Sequence, residues 1–199
     1  MAINHASKHN EAMTYVFNRL ETVPRENVTG VVASIYGDFC TENGLPWPLG
    51  DIYPPTFPLE TSEIDLKGEI ARSNKSAALK AAATDLVNIV ERQLPYNAFE
   101  IELGRLAENN AGRVQGEDSA TFADMLTVAR QSHQLYFSET GAPTAFQELA
   151  GGVSGGNGGG EILASVNWWK VLGVDIIGGM MGGPGGYLGA SAISVIMQL

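Results

Sequence analysis

The sequence has few of the residues that build cross-links, metal fingers and nucleic-acid surfaces. Its 199 residues include 1 cysteine and 3 histidines, and 12 Lys and Arg side chains face 22 Asp and Glu, for a formal net charge of −10. A disulfide framework is excluded because Cys40 has no intrachain partner. A zinc finger with several cysteine ligands is excluded for the same reason. The acidic balance, without a basic run, disfavours nucleic acid as a partner.

Charge is also nearly absent from the last quarter of the chain. Residues 151–199 carry only Glu161, Lys170 and Asp175 as charged side chains. More than half of the 24 glycines lie in the same stretch, although average usage is only about 7%. The chain therefore contains two regions of different composition, an ordinary acidic region and a glycine-rich, almost uncharged region.

This contrast predicts three regions. The first is an acidic domain over residues 1–149. The second is a glycine linker over residues 150–160, which we expect to behave as a flexible coil. The third is a hydrophobic tail with GxxxG spacing over residues 161–199.

The first residues of the chain do not resemble a secretory signal peptide, because they lack an apolar core of the required length. We therefore expect the protein to be cytoplasmic as synthesised, and the lone cysteine is compatible with a reducing compartment. Export would then need a leader-type or contact-dependent route, and would leave the protein associated with a membrane.

The acidic domain has the periodicity of helices. Residues that share one helical face recur at spacings of three and four, and no alternation of period two is sustained. The sequence predicts a mainly α fold, with an acidic domain of four to six helices followed by the linker and a hydrophobic glycine-zipper helix. The predicted faces are Met13, Val16, Phe17 and Leu20; Val28, Val31, Val32, Ile35 and Phe39; Leu79, Ala82, Leu86, Ile89 and Gln93; and Phe122, Met125, Ala129 and Tyr136.

Cap-like residue pairs predict where three of these helices begin. A short polar side chain followed three residues later by an acidic one is typical of a helix N-terminus. The helix that follows the first pair is expected to continue to Leu94, where Pro95 stops it. The pairs are Ser62 with Asp65, Asn97 with Glu100, and Thr121 with Asp124.

Residues 45–60 contain five of the nine prolines, which predicts an extended loop. Trp47, Tyr53 and Phe57 are interleaved with the prolines. These aromatic rings either pin the loop to the helical core or form a polyproline-type segment that docks a protein partner. The sequence leaves both interpretations open.

Catalytic and metal-binding patterns are weak. His5 and His9 have the i, i+4 spacing of a metal pair, but no third ligand is apparent, and a polar, frayed N-terminus is the simpler interpretation. His133 lies within a helical pattern as an exposed or a satisfied core residue, and the surroundings of Cys40 indicate packing. No phosphate-binding or dinucleotide-binding glycine motif occurs. We therefore expect no enzyme activity, no metal and no cofactor.

The tail has the composition of a membrane segment. From Val171 to Met197 the only charge is Asp175, and a helix of that length would span about 40 Å, more than the roughly 30 Å hydrocarbon core. Trp168, Trp169 and Lys170 precede it, and such residues favour the membrane interface.

Small residues recur every four positions in the tail and predict a groove along one helix face. In lipid such a groove lets two helix backbones pack closely. Pro184 should kink the helix, so a kinked span and a hairpin on the membrane surface both stay open. The tail could equally be a glycine-rich packing element of a soluble protein. The small residues are Gly178, Gly182, Gly186, Ala190 and Ser194.

The segment from Trp168 to the end resembles the glycine-zipper C-termini of bacteriocin-like peptides, in which GxxxG-rich apolar segments follow a tryptophan and a lysine. The preceding QELAGG resembles the double-glycine site at which bacteriocin leaders are cut. The resemblance implies cleavage after Gly151 and Gly152. It covers about a quarter of the chain.

Two functions follow from these observations. The first is a bacteriocin-like or toxin-like membrane-active protein, or its precursor, whose tail binds lipid and self-associates in a membrane. The alternative is a soluble structural or interaction protein that uses the tail for packing or assembly.

Overall fold

The structure, a computed structural model, describes residues 5–19, 28–45, 65–137, 139 and 167–182. These residues form seven α-helices after one short 3-10 turn, and they contain no strand, which confirms the mainly α prediction for this part of the chain. The turn is Ala6–Lys8, and the helices are α1 His9–Phe17, α2 Val28–Glu42, α3 Leu66–Arg72, α4 Ala77–Glu91, α5 Tyr96–Asn110, α6 Glu117–Tyr136 and α7 Trp168–Gly182. The linker over 150–160 and nearly all of the Pro-rich loop lie outside the described residues.

Helix α4 shows how the sequence forms these elements. Its alanines are the best helix formers, and the Ser76 side chain accepts a hydrogen bond from the Leu79 backbone N–H at the N-terminus. The predicted apolar face is confirmed as a buried one. Gln93, which was predicted to share that face, is exposed and lies beyond the helix with a positive φ of 52°.

The prediction of one helix from the Ser62–Asp65 pair to Leu94 is wrong, because two helices occupy this stretch. Asp65 does cap α3 by accepting from the Gly68 N–H. Ser73 then adopts an extended conformation that ends α3, and Ser76 caps α4. A capping serine thus interrupts a segment whose composition favours helix throughout.

The two other predicted helix starts are displaced. Helix α5 begins after Pro95, without a side-chain cap, rather than at Asn97. Helix α6 begins after Gly116, which has a φ of 63°, one turn before Thr121. A glycine at positive φ supplies the change of chain direction that a side-chain cap would otherwise stabilise.

The tail helix α7 lies in the core of the bundle. It packs most extensively on α6 and also contacts α3 and α4. Most of its apolar side chains belong to one hydrophobic cluster that also contains side chains from α1 to α6. At Gly173 a Cβ would lie 2.6 Å from the Leu66 Cδ1 atom, so α3 and α7 approach closely where one of them has no side chain.

Candidate functional site

A polar cluster surrounds the one acidic side chain of α7. The Ser132 Oγ–H donates to Asp175 Oδ2 at 2.6 Å, and the Tyr136 hydroxyl donates to the same oxygen at 3.0 Å. The Nε2 atom of His9 lies 3.4 Å from that oxygen. All four side chains are completely buried. The cluster therefore brings four buried polar side chains together within an otherwise apolar core.

Three helices bring these side chains together. Ser132 and Tyr136 are four residues apart on α6, so both point towards α7 from one helix face. His9 is the first residue of α1, and its Nδ1 atom lies 3.1 Å from the Asn10 side-chain oxygen. Asp175 stands in the middle of α7. The cluster therefore ties α1 and α6 to the tail helix.

Burial governs the charge of this cluster. Desolvation raises the pKa of Asp175 above its ordinary value, while His9, Ser132 and Tyr136 offset part of the rise. The Oδ1 atom is buried and has no hydrogen-bond partner among the described residues. A carboxyl group in this position favours its protonated, neutral form.

The combination of serine, histidine and aspartate does not have the geometry of a catalytic triad. Ser132 Oγ and Asp175 Oδ2 both lie beside the Nε2 atom of His9, at 3.5 Å and 3.4 Å. A triad needs the serine on one imidazole nitrogen and the carboxylate on the other. The hydroxyl here donates to the carboxylate, and no member reaches the surface. The cluster can hold protons, but it does not activate a nucleophile.

A second buried histidine meets the first turn of α7. The His133 ring lies 4.6 Å from the Phe99 ring and 5.3 Å from the Trp169 ring, between centroids. Phe137 stacks on Trp169 at 3.9 Å. Aromatic pairs at these separations contribute beyond the area they bury. The aromatic cluster therefore anchors the start of α7 to α5 and α6.

Burial lowers the pKa of His133, and the Leu94 carbonyl, the backbone of His133 itself and the charge of Glu100 offset part of that shift. The Nε2–H donates to the Leu94 carbonyl oxygen at 2.9 Å. Nδ1 is buried without a hydrogen bond of acceptable geometry to the described residues. His133 is thus placed as a neutral imidazole.

An open cleft of about 310 Å³ lies beside this anchor. Its polar lining includes Lys67, which pairs with Glu91 at 2.7 Å, and Lys170. Within the described part of the chain, no group of three or more His, Cys, Asp or Glu is placed to hold a metal ion.

The predicted site residues fall into two sets. Trp168 is buried against Tyr136, Trp169 packs on Phe137, and Lys170 lines the cleft, so all three lie in the first turn of α7. Gly178 is buried within α7, and Gly182 is its last residue. The rest lie outside the described residues; they are Gly186, Ala190, Ser194, Gly151 and Gly152.

His5 and His9 are not part of a frayed terminus, so that interpretation is wrong. His5 is buried and shares a hydrogen bond with the Tyr36 hydroxyl, and His9 joins the cluster around Asp175. One signal for the cluster, the lone Asp175 in an apolar segment, is visible in the sequence. A single carboxylate in an apolar helix must find polar partners or lose its charge. It did not indicate which helices would provide them.

No protein family, curated protein or solved structure matches this chain. The function is therefore inferred from the geometry of α7 and its surroundings.

Proposed function

We propose that this protein is membrane-active, of a bacteriocin-like or toxin-like kind, and that its acidic helical bundle carries the apolar tail helix in a folded, water-shielded form. The observation that supports the proposal is the burial of ten consecutive residues of α7. Every residue from Val171 to Met180 is buried. A helix that is apolar all round belongs either in a protein core or in lipid.

The other helices differ from α7 in this respect. Helix α4 has one buried apolar face, and its opposite face is polar or exposed. In α5 and α6 the buried positions also follow a single stripe. Helices α4, α5 and α6 are thus amphipathic, whereas residues 171–180 of α7 are buried on every side. This arrangement suits a protein that keeps a lipid-seeking segment away from water until it is released.

The length of α7 determines whether it could span a bilayer or only bind at its interface. Its 15 residues correspond to about 22 Å as a helix, against a hydrocarbon core of about 30 Å. Within the part of the chain that the structure describes, no helix combines the length and apolarity needed to cross a membrane. We propose that α7 enters the interface and self-associates there through its small residues, with Gly178 and Gly182 at the contact.

The experiment compares the full-length protein with and without phosphatidylcholine vesicles. Hydrogen exchange read by mass spectrometry follows residues 168–182, and release of a trapped dye reports membrane damage. Sub-denaturing urea opens the bundle in a parallel series. We expect dye release, together with altered exchange in residues 168–182, to grow as the bundle opens. If the dye stays trapped in the vesicles at every urea concentration, the proposal is contradicted.

A second candidate is the soluble structural or interaction protein, in which α7 is a permanent core helix. The close approach of Gly173 to Leu66 and the hydrogen bonds of Asp175 favour it, because both are details of tight packing. It predicts no vesicle binding even when urea loosens the bundle. Assembly through the tail would instead show as a concentration-dependent mass in analytical ultracentrifugation.

A further inference from the structure

Helix α3 is the shortest of the helices that pack on α7. Of its seven described residues, Leu66–Arg72, one is buried, Ile70. Helices α4 and α6, by contrast, bury seven and eight side chains. A helix as short as α3 is not stable by itself in water. Its position beside α7 therefore depends on a small number of side-chain contacts.

The polar contacts between α3 and α4 lie at the surface. Lys67 pairs with Glu91 at 2.7 Å, and both side chains are exposed. The Lys80 Nζ atom donates to the Ala71 carbonyl oxygen at 3.0 Å, also in an exposed position. Exposed contacts of this kind contribute little to stability. The apolar packing of Leu66 and Ile70 into the core therefore holds α3 in place.

Leu66 makes a direct contact between α3 and α7. A Cβ on Gly173 would lie 2.6 Å from the Leu66 Cδ1 atom, so the leucine packs against the backbone of α7. The open cleft of about 310 Å³ lies beside this contact, and Lys67 from α3, Val90 from α4 and Trp169 from α7 all line it. One flank of α3 is therefore open to solvent, whereas the flank at Leu66 is packed.

We propose that α3 is a strap, which covers Gly173 and opens while α4, α5 and α6 stay folded, and that its opening precedes the release of α7. The inference rests on the proposed function, because the released α7 is the segment that meets lipid. Opening of α3 breaks the contact of Leu66 with Gly173, but it leaves the Asp175 cluster that joins α1, α6 and α7. Local openings of this kind cost less free energy than unfolding of the whole chain. The Gly173 side of α7 is then uncovered while α6 still holds the helix.

Hydrogen exchange of the full-length protein in water, read by mass spectrometry, tests the order of these events. Residues 66–72 report on α3, residues 168–182 on α7 and residues 96–110 on α5. We expect exchange to be fastest in α3, slower in α7 and slowest in α5, because exchange in α5 requires the bundle itself to unfold. If α3 and α7 exchange no faster than α5, the chain opens only as a whole and the strap is overturned.

Two leucine variants distinguish local from global opening. Leu103 is completely buried on α5, which packs on α4 and α6. Leu103→Ala should speed exchange in α5 by about thirtyfold or more, and should leave α3 and α7 unchanged because α5 stays folded when they open. Leu66→Ala should speed exchange in α3 and α7 by about tenfold, because the open strap has already lost this contact. An equal rise in all three helices with Leu103→Ala overturns the strap.

A tether between α3 and α4 tests whether α3 must open before α7. In K67C/E91C the two cysteines replace exposed side chains that already meet, and a short bismaleimide joins them. The matched control is the same variant with each of the two cysteines capped by N-ethylmaleimide. Cys40 is completely buried and is common to both forms. We expect the tether to slow exchange in α7 until it is no faster than exchange in α5, and the capped form to keep the order of the wild type.

The tethered and capped forms are also compared on phosphatidylcholine vesicles at one sub-denaturing urea concentration. We expect dye release from the capped form and its loss in the tethered form. Slower α7 exchange in the tethered form, with no dye release from either form, supports the strap and overturns the proposed function. Equal, measurable dye release from both forms overturns the strap and supports the proposed function. If Leu103→Ala does not fold, these two forms still decide the question.

Discussion

Replacement of Asp175 tests how much of the stability depends on the buried cluster. Asp175→Ala removes the oxygen that accepts hydrogen bonds from Ser132 at 2.6 Å and Tyr136 at 3.0 Å. A buried hydroxyl that loses such a hydrogen bond costs about 1–3 kcal/mol, so Asp175→Ala should lower the free energy of unfolding by at least about 1 kcal/mol. Asp175→Asn keeps one acceptor oxygen in the same place. It should therefore remain within about 1 kcal/mol of wild type at acid pH.

The same pair of variants has a pH signature. Because burial raises the pKa of Asp175, its proton is held more tightly in the folded than in the unfolded state. Its contribution to stability is fully present below the unfolded pKa of about 3.9 and is lost as the pH rises through the folded pKa. The loss amounts to about 1.4 kcal/mol per pH unit across that window. Asp175→Asn lacks this term, so it should gain on wild type as the pH rises.

Urea unfolding followed by far-ultraviolet circular dichroism measures both effects at two pH values, about 5 and about 8. The reasoning fails if Asp175→Ala is no less stable than Asp175→Asn. It also fails if the difference between Asp175→Asn and wild type is the same at both pH values. Either result would mean that the carboxyl group is hydrated and carries its ordinary charge.

Three further predictions concern packing and the tail. Gly104→Ala should raise the free energy of unfolding by up to about 1 kcal/mol, because open space surrounds it on α5, whereas Gly173→Ala should gain less because its Cβ displaces Leu66; urea unfolding compares the two. Cleavage within residues 150–160 should leave two fragments that co-elute in size exclusion and separate in urea, because α7 is a core helix. Gly182→Leu should weaken tail association in a membrane reporter by about 1–2 kcal/mol, with Met181→Leu as the unaffected control.

Local structure was predictable where a single helix determines it. The apolar face of α4 follows from its spacing, and the burial of Leu79 and Leu86 agrees with it. The break between α3 and α4, at Ser73 and Ser76, was not predictable from spacing, because serine occurs both inside helices and at their ends. The residue at which a helix ends depends on local side-chain hydrogen bonds that compete closely with continuation of the helix.

The candidate site was less predictable for a different reason. Asp175 stood out in the sequence as a lone charge, but His9 and Ser132 come from helices far away in the chain. Their meeting depends on how α1, α6 and α7 pack, and no periodicity encodes that contact. The hydrophobicity of α7 was likewise visible, yet a lipid segment and a core helix share the same pattern. The tertiary structure is needed to show that the residues of α7 lie in the protein core.

The position of α7 has a consequence for how the chain matures on the ribosome. Helices α1 to α6 emerge first, but their shared core stays incomplete until α7 has been synthesised, since synthesis proceeds from the N-terminus. Until then the apolar faces that receive Leu172 and Ile176 are open to water and to other nascent chains. Contacts between the first and last helices also close the longest loops and form slowly. The interval before α7 arrives is therefore the period in which this protein most needs a chaperone.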